Sequence, residues 1–251
     1  MRSKHHSSSQ RDDRSLRIFH VKGGIMRYLF VKETLFALAF VLTLLLNLLS
    51  GCASHHEQPA VKHRFDDIDH WVKVFEDPER DRWQKPAEVV RAMKLRPGDI
   101  VADLGAGTGY FTRRFALAVA PSGKALGLDI EPNMVNYMND DAKKLKLSNY
   151  EARIIKTDNP ELPPQSVDVI FLCNTYHHIE NRVEYFRNIS KSLKPGGRVI
   201  NVDFYKDTDF GPPRKHKIAR EVVLKEMKMA GYHLITSHDI LPQQYFLEFG
   251  L

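Results

Sequence analysis

From Pro86 onward the chain alternates short apolar runs with longer amphipathic stretches, and that alternation admits few folds. Ile100–Leu104, Ala125–Ile130, Tyr150–Lys156, Val167–Cys173 and Arg198–Asp203 read as strands. Pro86–Lys94, Tyr110–Val119, Asn133–Lys146, Val183–Leu193 and Ile218–Ala230 read as helices, the last ended by Gly231. Val167–Cys173 is almost continuously apolar, as strands buried on both faces of a parallel sheet are. Lys194-Pro-Gly-Gly197 reads as a turn between a helix and a strand. The tail, Tyr232–Asp239 and Tyr245–Phe249, reads as two strands joined by a Pro-containing turn. The expected architecture is α/β: a doubly wound, mostly parallel, seven-stranded sheet with an antiparallel C-terminal strand.

Ligands of such sheets sit at the carboxyl ends of the strands, where the strand order switches. The end of the first strand is therefore the place to look. Val101-Ala-Asp-Leu-Gly-Ala-Gly-Thr-Gly-Tyr-Phe-Thr112 carries glycines at 105, 107 and 109, which let the backbone turn tightly and approach a ligand. The dinucleotide fingerprint needs its third glycine two residues later, and a phosphate-cradling loop needs a following Lys-Ser/Thr pair; neither is present. Asp103 beside the loop would repel a pyrophosphate and suits a ligand bearing an ammonium group.

This stretch resembles the first motif of the class I S-adenosylmethionine-dependent methyltransferases, an acidic residue followed by alternating glycines. The resemblance runs over about Pro86–Leu251 and implies a Rossmann-like fold with S-adenosylmethionine as cofactor. Within the class the chain is most similar to small-molecule, type 11-like enzymes related to those that methylate quinones and phospholipids. Residues 77–86 and Thr175-Tyr-His-His178 resemble segments of predicted methyltransferases whose substrates are mostly unassigned. The resemblance implies that Gly105, Gly107 and Gly109 pass under the methionine part of the cofactor, with Asp103 near its amino group. It implies that Asp129 takes both ribose hydroxyls, Ile130 packs on the adenine, and Asp158 accepts from the adenine amino group. Asn174 would offer a carbonyl to the ammonium, and Tyr110 would contact the sulfonium face or shape the acceptor pocket. Asp129, ahead of Glu131-Pro132, equally suits a helix cap.

Methyl transfer is an in-line displacement, so the chain must align an acceptor, remove its proton if it carries one, and exclude water. The segment after the fourth strand offers Tyr176, His177 and His178, with a histidine as base and Tyr176 contacting the sulfonium face or shaping the acceptor pocket. Neighbours in a turn diverge, so one histidine is expected to point into the fold. Asp203, ending the fifth strand, would orient a histidine or bind the acceptor. Arg214-Lys-His-Lys217 would grip an acidic group or simply be solvated. A metal site from His177, His178, Asp203 and His216 has no recognised spacing, so no metal is expected. Cys173 reads as a small core residue. Trp71, Trp83 and residues 77–86 read either as a lid over the pocket, with Trp83 as an aromatic wall, or as plain packing on the first helix.

Charge bears on partners. The chain has 37 Lys+Arg and 31 Asp+Glu, but residues 1–51 hold 8 and 3 of them. The basic excess thus belongs to the N-terminus, and the body lacks the phosphate-neutralising surplus of a nucleic-acid binder. Residues 1–25 read as a disordered extension or a misassigned start ahead of Met26. Residues 26–51 read as a signal: Arg27 and Lys32, the uncharged apolar Thr34–Leu48, then Leu49-Ser50-Gly51-Cys52. Those last four residues resemble a bacterial lipobox, which implies lipidation of Cys52 and a body on the periplasmic side of a membrane. The alternative is an inner-membrane anchor with a cytoplasmic body. Residues 52–70 read as a linker and 71–251 as the methyltransferase domain. Two functions are therefore expected. One is a membrane-tethered methyltransferase acting on a small-molecule or lipid acceptor. The other is an exported module that keeps the S-adenosylmethionine pocket without turnover, since that cofactor is made in the cytoplasm.

Overall fold

Seven strands build one sheet from the apolar runs: β1 (Ile100–Leu104), β2 (Lys124–Asp129), β3 (Tyr150–Ile154), β4 (Val167–Cys173), β5 (Leu193–Phe204), β6 (His233–His238) and β7 (Gln244–Gly250). The computed structural model describes residues 67–251. Cys52, the extension, the apolar segment and most of the expected linker lie outside the described residues. Among the described residues seven α-helices accompany the strands: α1 (Ile68–Phe75), α2 (Arg80–Gln84), α3 (Pro86–Ala92), α4 (Thr112–Val119), α5 (Pro132–Leu145), α6 (Arg182–Ile189) and α7 (Arg220–Met229).

The strand order is β3-β2-β1-β4-β5-β7-β6. Pairings among β1 to β5 are parallel. Only β7 runs against the rest of the sheet, and it sits between β5 and β6 with both pairings antiparallel. The order reverses between β1 and β4, which opens a crevice at their carboxyl ends, where Leu104 pairs with Leu172.

Both faces of the sheet are covered. On one, Val89, Phe115, Val119 and Met138 from α3, α4 and α5 pack on Val101, Phe171 and Phe246. The ring of Phe171 is fully buried, 4.9 Å from both Phe111 and Phe115. On the other face, Phe186 and Met227 from α6 and α7 pack on Leu104, Leu172 and Leu247. Burial on two sides explains why the central strands are apolar without interruption.

Three elements differ from the sequence reading. Helix α4 begins at Thr112, because the residues from Gly105 to Phe111 are spent in turns over the strand ends. Lys194-Pro-Gly-Gly197 lies within β5: Leu193 already pairs with Val167, and the register shift that follows absorbs the turn-forming residues as an irregularity. The N-terminal part of the body is structured earlier than expected, since α1 starts at Ile68, capped by the Asp67 side chain accepting from the His70 N–H. Among the described residues no helix is long and apolar enough to cross a membrane.

Candidate active site

The crevice at the strand ends is a cavity of about 570 Å³. Its floor is the glycine loop. The N–H groups of Gly105 and Ala106 both donate to the Leu128 carbonyl, at 2.8 and 3.1 Å, pinning the loop to the end of β2. Gly105 has φ +70°, and a Cβ there would meet Thr175 Cγ2 at 2.4 Å, so only glycine lets the loop lie against the segment after β4.

Two carboxylates flank the loop. Asp129 lines the cavity while its Oδ2 accepts from the Gly107 N–H at 2.7 Å and its Oδ1 from the Glu131 N–H at 3.0 Å. Those two bonds fill about half of its acceptor positions and fix its orientation. Burial raises its pKa, against the backbone N–H bonds. Asp103 is buried at the end of β1 and accepts from the Thr112 hydroxyl at 2.6 Å. Burial pushes its carboxyl up to about 7, against the Thr112 hydrogen bond and the Arg80 guanidinium. Ile130, 45% exposed, and Ile155 add apolar surface to the same cavity.

The wall after β4 carries the histidines. Residues 176–178 form one 3₁₀ turn, and both His177 and His178 line the cavity, with ring centroids 4.3 Å apart. As expected, one of them turns into the fold, His177, yet both still reach the cavity. His177 is buried and its Nδ1 lies 2.9 Å from Asp203 Oδ2, whose other oxygen accepts from the Phe204 N–H. Burial lowers the His177 pKa, but the charge and hydrogen bond of Asp203 outweigh it, and the net direction is up. Asn174 lines the cavity with φ +58°, and its Oδ1 accepts from Gln244 Nε2 at 2.6 Å.

Two expectations are corrected by the placement of the side chains. Tyr176 does not line the cavity. It is fully buried, stacks on Phe186, and donates its hydroxyl to Glu226 Oε2 at 2.7 Å, because the tight turn sends it to the face opposite its two neighbours. Glu226 also takes the buried Arg182, at 2.8 and 3.1 Å. Asp158 is exposed and outside the cavity lining. The chain runs along the rim through Ile155, Lys156 and Thr157, and by Asp158 it has turned to solvent.

The N-terminal helices close the remaining side, as the lid reading expects. Trp71, Val74, Phe75, Arg80 and Trp83 line the cavity. Trp83 packs on Phe204 and Phe210, with centroids 5.7 and 5.1 Å away. Glu76 accepts from Arg113 at 2.7 Å and from the Thr108 hydroxyl of the glycine loop. Tyr110 lines the cavity, donates to Asp81, and lies under the Arg80 guanidinium. Arg80, Phe75 and Glu76 were not singled out in the sequence; Arg80 falls inside the run 77–86, whereas Phe75 and Glu76 precede it and carry no local signal.

Other candidates fall into place around this site. Cys173 lines the cavity, but burial pushes its thiol up to about 12, which leaves it un-ionised. Lys217 is buried and donates to the carbonyls of Thr208 and Phe210, so it fastens the loop that carries Pro212 and Pro213 to the cavity wall. Arg214 and Lys215 are exposed. Among the described residues no group of three or more His, Cys, Asp or Glu is placed to hold a metal.

Comparison with known proteins agrees with this geometry. The model of a family described as "Methyltransferase domain" matches residues 95–244. Phosphoethanolamine N-methyltransferase 1 of Arabidopsis thaliana is 31% identical over 157 residues, covering 61% of this chain and 28% of that protein. The ubiquinone/menaquinone biosynthesis C-methyltransferase UbiE of Ectopseudomonas mendocina (strain ymp) is 29% identical over 145 residues, covering 57% of this chain and 55% of that protein. The chain thus spans between about a quarter and about half the length of these curated relatives. Among solved structures, a SAM dependent methyltransferase from Aquifex aeolicus superposes with a TM-score of 0.69 at 25% identity, covering 75% of this chain and 98% of that one.

Proposed function

This chain belongs to the methyltransferase-domain family, and from that premise we propose that it transfers the methyl group of S-adenosylmethionine to a small, apolar, planar acceptor carrying an O–H or N–H group. One observation carries the reading. A single cavity is lined by Asp103, the glycine loop, Asp129 and His177, and His177 is backed by Asp203, which is fully buried behind it and does not line the cavity.

The residues fit the cofactor. Asp103 offers a buried carboxylate to a cation, and Asp129 keeps acceptor positions for a diol after binding two backbone N–H groups. Ile130 and Ile155 offer apolar surface to a planar base. Gly105 leaves a cradle that a Cβ would fill. Bound S-adenosylmethionine supplies an electrophilic methyl group on a sulfonium, so the chain needs no nucleophile of its own.

The remaining work belongs to side chains. Asp203 accepts from Nδ1–H of His177 and so selects the tautomer whose Nε2 carries the lone pair. That nitrogen takes the proton of the acceptor group as the group attacks. Asp203 also raises the basicity of the ring, by its charge and its hydrogen bond. Trp83, Phe204, Pro212 and Pro213 give the acceptor apolar walls and keep water from the reacting atoms.

The test is a methyl-transfer assay with isotopically labelled cofactor against a panel of hydroxylated and N–H-bearing aromatic compounds. Transfer to at least one member is expected, with His177→Ala lowering kcat by about 10²- to 10⁴-fold at unchanged cofactor affinity. Cofactor binding without transfer to any member would reduce the protein to a binding module. We also infer, from Leu49-Ser-Gly-Cys52 after an uncharged apolar run, that Cys52 is lipidated and tethers the body to a membrane. The intact mass of the mature chain decides this: it begins at a lipid-bearing Cys52, or it does not.

A further inference from the structure

Resting on the reading of the cavity as an S-adenosylmethionine site, we propose that Arg80 binds the carboxylate of the cofactor's amino-acid end, so that Arg80 and Asp103 hold the two charges of that zwitterion. Arg80 lies outside the stretch matched by the family model, on α2 of the N-terminal segment. It nevertheless lines the cavity together with Asp103, Gly105 and Asn174.

Its guanidinium is held from two sides. Nη1 donates to the Phe75 carbonyl at 2.9 Å, and the guanidinium carbon sits 3.8 Å from the centre of the Tyr110 ring. Tyr110 is itself fixed by Asp81. The side chain is thus oriented before any ligand arrives, and the entropy of ordering it is already spent. Arg80 Nε is buried and has no hydrogen-bond partner, and the Cys173 thiol also neighbours the guanidinium. A buried, charged donor left unpaired is costly, and a guanidinium presents its donors in a planar fork matched to a carboxylate. The charge is also near Asp103, whose carboxyl it favours in the ionised form.

The chemistry of the ligand follows from the pair. A cation alone would select any anion, and Asp103 alone any ammonium. Together at one end of a cavity they select an α-amino acid in its zwitterionic form. Arg80 would then separate S-adenosylmethionine from analogues that keep the sulfonium, ribose and adenine but lack the carboxylate.

The test uses the full chain and titration calorimetry with two ligands, S-adenosylmethionine and its decarboxylated form, which keeps an amino group. Wild type should bind the decarboxylated ligand about 10- to 100-fold more weakly. Arg80→Met should lose that same factor for S-adenosylmethionine and change less than about threefold for the decarboxylated ligand, so that the two bind alike. Arg80→Lys, which keeps the charge without the fork, should fall between, and it carries the comparison if Arg80→Met does not fold. Equal losses for both ligands in Arg80→Met, or no loss for either, would overturn the assignment and leave Arg80 a structural partner of Tyr110. Failure of folded wild type to bind either ligand would instead overturn the reading of the cavity on which the proposal rests.

Discussion

At Asp103, removal from water raises a carboxyl to about 7, while the Thr112 hydroxyl and the Arg80 guanidinium pull the other way. An ammonium ligand needs that carboxyl ionised. In the free protein the ionised fraction is about one half at pH 7 and about one tenth at pH 6. Affinity for S-adenosylmethionine should therefore fall about fivefold as pH drops from 7 to 6, because the unliganded protein must first lose a proton. The ligand's own α-amino group stays protonated across that window. Calorimetry at the two pH values checks this, and Asp103→Asn should flatten the dependence. An equal slope in that variant would assign the proton to another group, such as Asp129. The residues legible in the sequence were those whose position alone carries their role, namely the glycines, Asp103 and Asp129 at strand ends. Asp158 and Tyr176 needed geometry, since one step along a turn decides whether a side chain meets the cavity, the solvent or the core.

Among the elements, the 3₁₀ turn at 176–178 depends on two buried side chains, Glu226 and Arg182, that do not themselves line the cavity. Tyr176 is anchored by Glu226 of α7, and Glu226 also pairs with Arg182 of α6 where both side chains are wholly buried. Removing one member strands the other charge in the core. Glu226→Ala should lower the unfolding free energy by about 3–5 kcal/mol in urea denaturation. A loss below about 1 kcal/mol would show that the network does not hold the turn. Helices α1 and α2 were the elements least legible in advance. Helix α1 carries Ile68, Trp71, Val72 and Phe75 at i, i+3, i+4 and i+7, but it is only eight residues long and has no buried residue, because Trp71, Val74 and Phe75 face the cavity and not the core. The parallel strands were read with ease for the opposite reason, being covered on both faces.

On the scale of the whole molecule, the order β3-β2-β1-β4-β5-β7-β6 sets the chemistry in place. The chain reverses direction of winding between β1 and β4, and the glycine loop and Asn174 leave the sheet on either side of that reversal. Alternation of apolar and amphipathic stretches foretold this layout; the N-terminal segment that closes it was expected only as one of two readings of Trp71, Trp83 and residues 77–86, and the cavity walls that Phe204 and Pro212 build with Trp83 were not foretold. Those walls come from segments far apart in sequence, and no local pattern reports their meeting. The central claim is that the crevice is an S-adenosylmethionine site, and titration calorimetry of the full chain with S-adenosylmethionine and its demethylated product tests it most directly. Binding at about micromolar affinity, weakened at least about tenfold by Asp129→Ala, is the predicted result. No binding of either ligand by folded wild type, or equal binding by Asp129→Ala, would contradict it.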